Sequence, residues 1–171
     1  LASLPLQKVV VLHANHANEF DAGVDGSCAR LRDAGATLLN ESVLLERGDH
    51  QIALAGIDDA HYFRVNNLEK AAQNIPEDMI SILLSHTPEI YRQAVHAEFD
   101  VMLSGHTHGG QICLPGGIPL TLDAKCPRYM GSGQWRYRDM IGYTSVGVGS
   151  SVVPVRLNCR PEITIHHLRR A

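Results

Sequence analysis

Short apolar runs alternate along the chain with stretches in which apolar residues recur at helical spacing. The apolar runs predict strands at 8–12, 36–39, 42–46, 51–57, 80–85 and 100–104. The helical spacing and the capping residues predict helices at 25–34, 61–74 and 88–99. The third helix has Thr87 as its N-cap and Pro88 as its first residue, where a missing N–H costs nothing. This alternation predicts an α/β fold.

The second half of the chain has a different residue pattern. Residues 109–133 are rich in Gly and Pro and predict an irregular loop, with strands at 141–148 and 162–167 after it. These late strands add a further β layer to the predicted sheet. Tyr137 and its neighbours 135–138 (WRYR) form a basic aromatic cluster. This cluster could stack on a base or bind a phosphate. The alternative, which we favour, is that it is the solvated edge of a loop.

Length and charge restrict the class of protein. The chain has 171 residues, 44% hydrophobic and 19% charged, which predicts one globular domain over 1–171. A formal net charge of −3 excludes a broad basic surface, so no nucleic-acid partner is expected. The four cysteines form no Cys-x-x-Cys pair, and we expect reduced thiols.

Histidine and asparagine follow three of the predicted strands. Asn15 and His16 come after the first strand, His86 follows 80–85, and His106 and His108 follow 100–104. The carboxyl ends of parallel strands form one crevice, so these side chains are expected to lie close together. Imidazole is a ligand of Zn, Fe and Mn, and the following helix start favours an anion such as phosphate. The pattern therefore predicts a metal site.

The remaining histidines have simpler explanations. A lone His after a strand is ordinarily a satisfied polar residue, and only the grouping at several strand ends favours a metal. His13 and His16 have the spacing of a metal pair on a helix, but the run before them predicts a strand. We expect His50, His61 and His96 at the surface.

Three segments resemble the signatures of a known family. The runs 104–112 (SGHTHGGQI), 83–88 (LLSHTP) and Asn15-His16 resemble calcineurin-like metallophosphoesterases, in the form found in YkuE/YaeI-like phosphohydrolases. The resemblance extends to 31–42, 54–59 and 148–162, and so covers nearly the whole chain. It implies a four-layer α/β/β/α sandwich and a centre of two divalent ions, Mn, Fe or Zn.

The resemblance also implies a role for each matching residue. Asn15, His86 and His106 are similar to ligands of the second metal, and His108 is similar to a ligand of the first. His16 is similar to the His that contacts the phosphate and protonates the leaving group. The implied reaction is hydrolysis of a phosphodiester or pyrophosphate bond by a metal-bound hydroxide. The implied substrates are phosphate esters, lipid-linked ones included. The sequence does not identify the location, and we favour a cytoplasmic or membrane-peripheral one.

The sequence departs from the family in two respects. The Asp-x-His and Gly-Asp-x-x-Asp signatures that precede Asn-His in the family have no match here. Ala14 stands where the family has Gly, and Ala17 stands where it has the acid that orients the catalytic His. Two interpretations follow. Either this is the carboxyl-terminal portion of an enzyme, with further signatures and any membrane contact upstream of Leu1, or it is an inactive, diverged binding or regulatory module. We favour the first because His86, His106 and His108 are all present.

Overall fold

The structure, a computed structural model, describes residues 40–58, 60–61 and 66–169. The strands in this part of the chain are β1 (Glu41–Arg47), β2 (His50–Gly56), β3 (Ser81–Leu84), β4 (Val101–Ser104), β5 (Cys113–Leu114), β6 (Ile118–Pro119), β7 (Gly133–Tyr137) and β8 (Met140–Thr144). The α-helices there are α1 (Leu68–Ala72) and α2 (Tyr91–His96). The strands form a 6-stranded sheet of order β1-β2-β3-β4-β8-β7, and β5 and β6 form a separate pair.

The central strands of the large sheet are parallel and its edges are hairpins. β2, β3, β4 and β8 run in the same direction, while β1 and β7 pair antiparallel with β2 and β8. Gly48 has a φ of 59°, which the tight turn between β1 and β2 requires. The carboxyl ends of β3 and β4 therefore lie side by side at one edge of the sheet.

Both faces of the sheet bury apolar side chains, as parallel strands do. On one face, Leu83, Met102 and Met140 pack with Tyr91 and Ala94 of α2 in the main core. On the other face, a smaller cluster is built around Leu54 and Ile82. The nearly continuous apolar character of β2, β3 and β4 follows from burial on both sides.

Trp135 anchors the hairpin of β7 and β8 to the core. Its ring is 4% exposed and lies over Gly142, its partner across the strands. Its Nε1–H donates to Thr144 Oγ1 at 2.9 Å, and Ser104 Oγ lies 2.9 Å from the same oxygen. The indole thus fills the space that the glycine leaves and also satisfies a buried hydroxyl.

The mixed α/β sheet agrees with the fold class predicted from the sequence. The predicted strands at 42–46, 51–57, 80–85 and 100–104 are confirmed as β1, β2, β3 and β4. The predictions at 8–12, 25–34 and 36–39 fall outside the described residues. The four-layer sandwich and the single domain over 1–171 stay predictions. Within the described residues, no helix has the length and apolar character to cross a bilayer.

The helix predictions were too long. The segment after Thr87 is a 3-10 turn, Pro88–Ile90, followed by α2, which ends at His96. It ends there because Glu98 adopts a φ of 59° and Phe99 N–H donates to the Ala94 carbonyl, which closes the helix end. Of the described residues within the helix predicted over 61–74, only those of α1 are α-helical, and extended Asn67 caps α1 by accepting from Lys70 N–H.

Two predictions in the second half were wrong. The cluster 135–138, interpreted as a solvated loop edge, has its first three residues in β7, with Trp135 buried; the arginines at 136 and 138 concealed this strand because they interrupt the apolar pattern. The strand predicted at 162–167 does not form. There Glu162 is tied by hydrogen bonds to Tyr143 and Val146, while Ile163 and Ile165 are exposed.

A glycine-to-alanine pair tests the packing of the hairpin. The Cβ of Gly142→Ala would collide with the buried indole of Trp135, and overpacking of this kind typically costs about 1–3 kcal/mol. Gly149→Ala is the control, because no heavy atom lies within 4 Å of the added Cβ. Urea unfolding should show the loss of stability for Gly142→Ala alone. Equal stability of the two variants would contradict the described packing.

Candidate metal centre

Two histidines meet at the ends of adjacent parallel strands. His86 follows β3, and His106 follows β4 after Gly105. Gly105 N–H donates to the His86 carbonyl at 3.1 Å, which continues the pairing of the strands past their ends. The centroids of the two rings are 4.5 Å apart with an interplanar angle of 61°, and both Nε2 atoms are buried. Their role as metal ligands stays a prediction.

A third histidine, His61, packs against His106. The centroids of these rings are 4.4 Å apart, and the side chain of His61 is 12% exposed. The expectation that His61 lies at the surface is therefore wrong, whereas His50 and His96 are exposed. The chain after β2 stays beside β3, since Ile57 N–H donates to the Leu84 carbonyl, and this brings the following residues to the same edge.

Asp123 completes the cluster from the loop that follows β6. Its carboxylate oxygens lie 3.8 Å from His61 Nε2 and 3.9 Å from His106 Nε2. The ligand atoms of the three residues all lie within 4.8 Å of one another. The sequence analysis missed Asp123 because a Gly- and Pro-rich loop has no periodicity from which its path can be read.

The chemistry of these side chains suits a divalent first-row metal. Two imidazoles and a carboxylate are donors that Zn²⁺, Mn²⁺ and Fe²⁺ accept in proteins. Burial lowers the pKa of His106, and the neighbouring His61 lowers it further, although Asp123 and Glu89 act in the opposite direction. A lowered pKa favours the neutral imidazole, which is the form that binds a metal.

His108 is held by a different set of contacts. Its Nδ1 lies 3.3 Å from the Gly149 carbonyl oxygen and 3.3 Å from Arg156 Nη2. The Gly149 carbonyl can only accept from Nδ1 and Arg156 can only donate to it, so the two contacts favour opposite tautomers. The tautomer that donates Nδ1–H to Gly149 is the one that leaves the Nε2 lone pair for a metal. The other two predicted site residues, Asn15 and His16, lie outside the described residues.

The backbone around these histidines is strained. His106 has a φ of 68° and His108 a φ of 49°, values uncommon for residues with a side chain. Thr107 holds the loop between them by donating its hydroxyl to the Gly131 carbonyl at 2.6 Å and accepting from Gly109 N–H at 3.2 Å. Such strain persists only where the surroundings fix the backbone, and it is frequent at functional sites.

Gln111 and Arg156 fasten the segment 146–156 to the histidine loop, the segment 105–111 that carries His106 and His108. The Gln111 amide donates to the carbonyls of Ser151 and Val153 at 3.0 and 2.9 Å and accepts from Ser151 N–H at 2.7 Å. The Arg156 guanidinium donates to the carbonyl of Val146 at 2.6 Å. Both side chains therefore satisfy the backbone of an irregular segment that forms no sheet ladder of its own.

Comparison with known proteins gives matches over most of the chain. It is 35% identical over 133 residues to the uncharacterized metallophosphoesterase YkoQ of Bacillus subtilis, which covers 77% of this chain and 48% of YkoQ. It is 33% identical over 143 residues to the phosphodiesterase YaeI of Escherichia coli, which covers 81% of this chain and 49% of YaeI. An uncharacterized metallophosphoesterase of Aquifex aeolicus is 33% identical over 171 residues, or 94% of this chain and 60% of that protein.

The matched region thus spans about half the length of the curated relatives YkoQ and YaeI. No family model and no solved structure matches the chain.

Gln111→Ala tests the fastening of the segment 146–156. The variant removes the three hydrogen bonds of a buried amide, and at about 0.5–1.5 kcal/mol each it should lower the free energy of unfolding by about 2–4 kcal/mol. Gln134→Ala, at an exposed position of β7, is the matched control and should change stability by less than about 0.5 kcal/mol. Urea unfolding measures both. A loss no larger than the control's would mean that the amide does not hold the segment.

Cys126 should react slowly with alkylating reagents. Burial, assisted by the negative charge of Glu89, raises the pKa of its thiol from 9.0 to about 11. Because the thiolate is the nucleophile, its alkylation by iodoacetamide at pH 8 should be about 100-fold slower than for an ordinary thiol, and faster as the pH rises. Mass spectrometry of the peptide that contains Cys126 measures the rate, with the urea-unfolded chain as the control. Equal rates in the two states would contradict the burial.

Proposed function

We propose that this chain, which belongs to the metallophosphoesterase family, forms part of a metal centre that hydrolyses phosphate esters. The observation that carries the proposal is the contact between the His86 and His106 rings at the ends of adjacent parallel strands. Both residues stand in segments that resemble the family's signatures. The proposal is supported further by the acid and imidazole groups gathered around His106.

In the proposed centre the described histidines have distinct positions. His86 and His106, together with Asn15, would hold one divalent ion, and His108 would contribute to a second; Mn, Fe and Zn all suit these donors. The bound ions would supply a hydroxide by lowering the pKa of coordinated water and would offset charge on the phosphoryl oxygens. His16 would give its proton to the oxygen of the leaving group.

The proposed substrates are phosphodiesters and pyrophosphates, lipid-linked ones included, and no nucleic-acid partner is proposed. The name of the similar YaeI, a phosphodiesterase, supports the reaction class. We propose a four-layer α/β/β/α sandwich to which this chain contributes the carboxyl-terminal portion. The relatives are longer than the matched region, and we assign the carboxylate ligands of the first ion to residues outside this chain.

A binding or regulatory module without activity is the second candidate. It is favoured by Ala17, because the family has at this position the acid that orients the catalytic His. The Ala17→Asp variant separates the candidates. In an enzyme it should raise the rate on a substrate with a poor leaving group at unchanged metal content, whereas a module would gain no activity.

Two histidine variants of the full-length protein test the proposed roles. His106→Ala removes a ligand and should lower metal content and hydrolysis of a chromogenic diester together. His16→Ala removes a proton donor and should lower the rate by about 10²–10⁴-fold with the metals in place, less so for good leaving groups. Metal analysis and steady-state kinetics measure these effects, with exposed His96→Ala as the control.

The outcomes separate the roles from one another. If His16→Ala removes metal as fully as His106→Ala, then His16 is a ligand and not the acid. If His106→Ala keeps both its metal and its rate, the proposed centre is wrong.

A further inference from the structure

We propose that His61 and Asp123 are ligands, together with His106, of a divalent cation in this centre. The proposal rests on the proposed function, since it shares His106 with it, and it adds two residues that lie outside the signature segments. A Zn²⁺-like first-row ion is the chemical class that two imidazoles and one carboxylate select.

The first argument is the tautomer of His61. Its Nδ1 lies 2.9 Å from Glu89 Oε1, and a carboxylate can only accept, so Nδ1–H is the donor. With Nδ1 turned to Glu89, the other ring nitrogen, Nε2, faces Asp123 Oδ1 at 3.8 Å. A carboxylate that orients a ligating His in this way is the usual arrangement around protein-bound zinc.

The second argument is the spacing of the donor atoms. Around a tetrahedral ion with bonds of about 2.0–2.1 Å, neighbouring ligand atoms lie about 3.4 Å apart. Asp123 Oδ1 lies 3.8 Å from His61 Nε2 and Asp123 Oδ2 lies 3.9 Å from His106 Nε2, and one ligand atom from each of the three residues lies within 4.8 Å of the others. Bringing the donors to the tetrahedral spacing therefore shortens any of these distances by no more than about 1.4 Å. Asp123 can make this shift because its side chain is 74% exposed.

The third argument is the way in which one residue fixes both new ligands. Glu89 Oε1 accepts from His61 Nδ1–H and also from Lys125 N–H, at 2.6 Å, in the loop that carries Asp123. Glu89 itself is 12% exposed and lies in the 3-10 turn Pro88–Ile90, whose cap is the buried Thr87. The ring and the loop are therefore held on the same oxygen before any ion binds, which makes Glu89 a positioning residue.

The fourth argument is the unequal exposure of the three groups. The side chains of His61 and His106 are 12% and 9% exposed, whereas Asp123 reaches the solvent. The two imidazoles thus form the inner wall of the cluster and the carboxylate its outer side. A cation can enter from the solvent past Asp123 and keep a coordination position open on that side.

Zinc titration of the full-length protein tests the proposal. Zn²⁺ alone is the probe, and its dissociation constants are measured by competition with a chromophoric chelator at neutral pH. His61→Ala and Asp123→Asn should each weaken binding of one Zn²⁺ by at least about 10-fold, since even residues that only support a ligand typically cost 10–100-fold. Glu89→Gln should weaken the binding of the same ion, because it removes the carboxylate that positions both His61 and the loop of Asp123.

Matched controls come from the same chain. His96→Ala and Asp139→Asn alter exposed residues of the same types and should leave Zn²⁺ affinity unchanged within twofold. Asp123→Asn preserves the shape of an exposed side chain, so it remains informative if His61→Ala fails to fold. Circular dichroism establishes that each variant is folded.

The outcomes separate this proposal from the proposed function. If His61→Ala and Asp123→Asn both bind Zn²⁺ like the unaltered protein, these residues form an ion pair only and the proposal is overturned. If these two variants bind Zn²⁺ normally but His86→Ala does not, the proposed centre stands without the two added ligands. If the unaltered protein binds no Zn²⁺, this proposal is overturned, whereas the proposed function, which Mn and Fe also satisfy, fails only if none of the three ions binds.

Discussion

The hydrogen bond from Gly105 N–H to the His86 carbonyl determines the arrangement of the whole site. It extends the parallel pairing of β3 and β4 beyond the last residues of the strands. Because of it, His86 and His106 leave the sheet side by side, with their rings in contact. The other groups then need only to reach this pair. His61 does so from the end of β2, and Asp123 from the loop after β6.

The histidine loop is stabilised by hydrogen bonds from residues that take no part in the proposed metal binding or catalysis. Left-handed backbone at His106 and His108 costs free energy, on the order of 1–3 kcal/mol for each residue held in a sparsely populated region. Thr107 and Gln111 offset this cost through buried hydrogen bonds to neighbouring loops. The signature segment thus combines residues that face a ligand with residues that keep the backbone in place. Such a site is arranged before a ligand binds, which favours binding.

The sequence predicted those parts of the molecule that depend on the pattern of neighbouring residues along the chain. The buried strands follow from apolar runs, and the common edge of His86 and His106 follows from the rule that parallel strands end together. The position of His61 and the part taken by Asp123 could not be predicted, because both depend on how loops cross the sheet. β7 was missed since only Trp135 is buried along it, so its pattern resembles a loop. The predicted strand at 162–167 has the right alternation but pairs with no strand among the described residues.

Anomalous diffraction from crystals of the full-length protein grown with Mn²⁺ or Zn²⁺ tests the central claim most directly. Data collected at the absorption edge of the metal locate each ion independently of the protein density. The account predicts an ion at bonding distance, about 2.0–2.2 Å, from a ring nitrogen of both His86 and His106. An ion bound elsewhere, or two histidine rings that lie on opposite sides of the sheet, would contradict it.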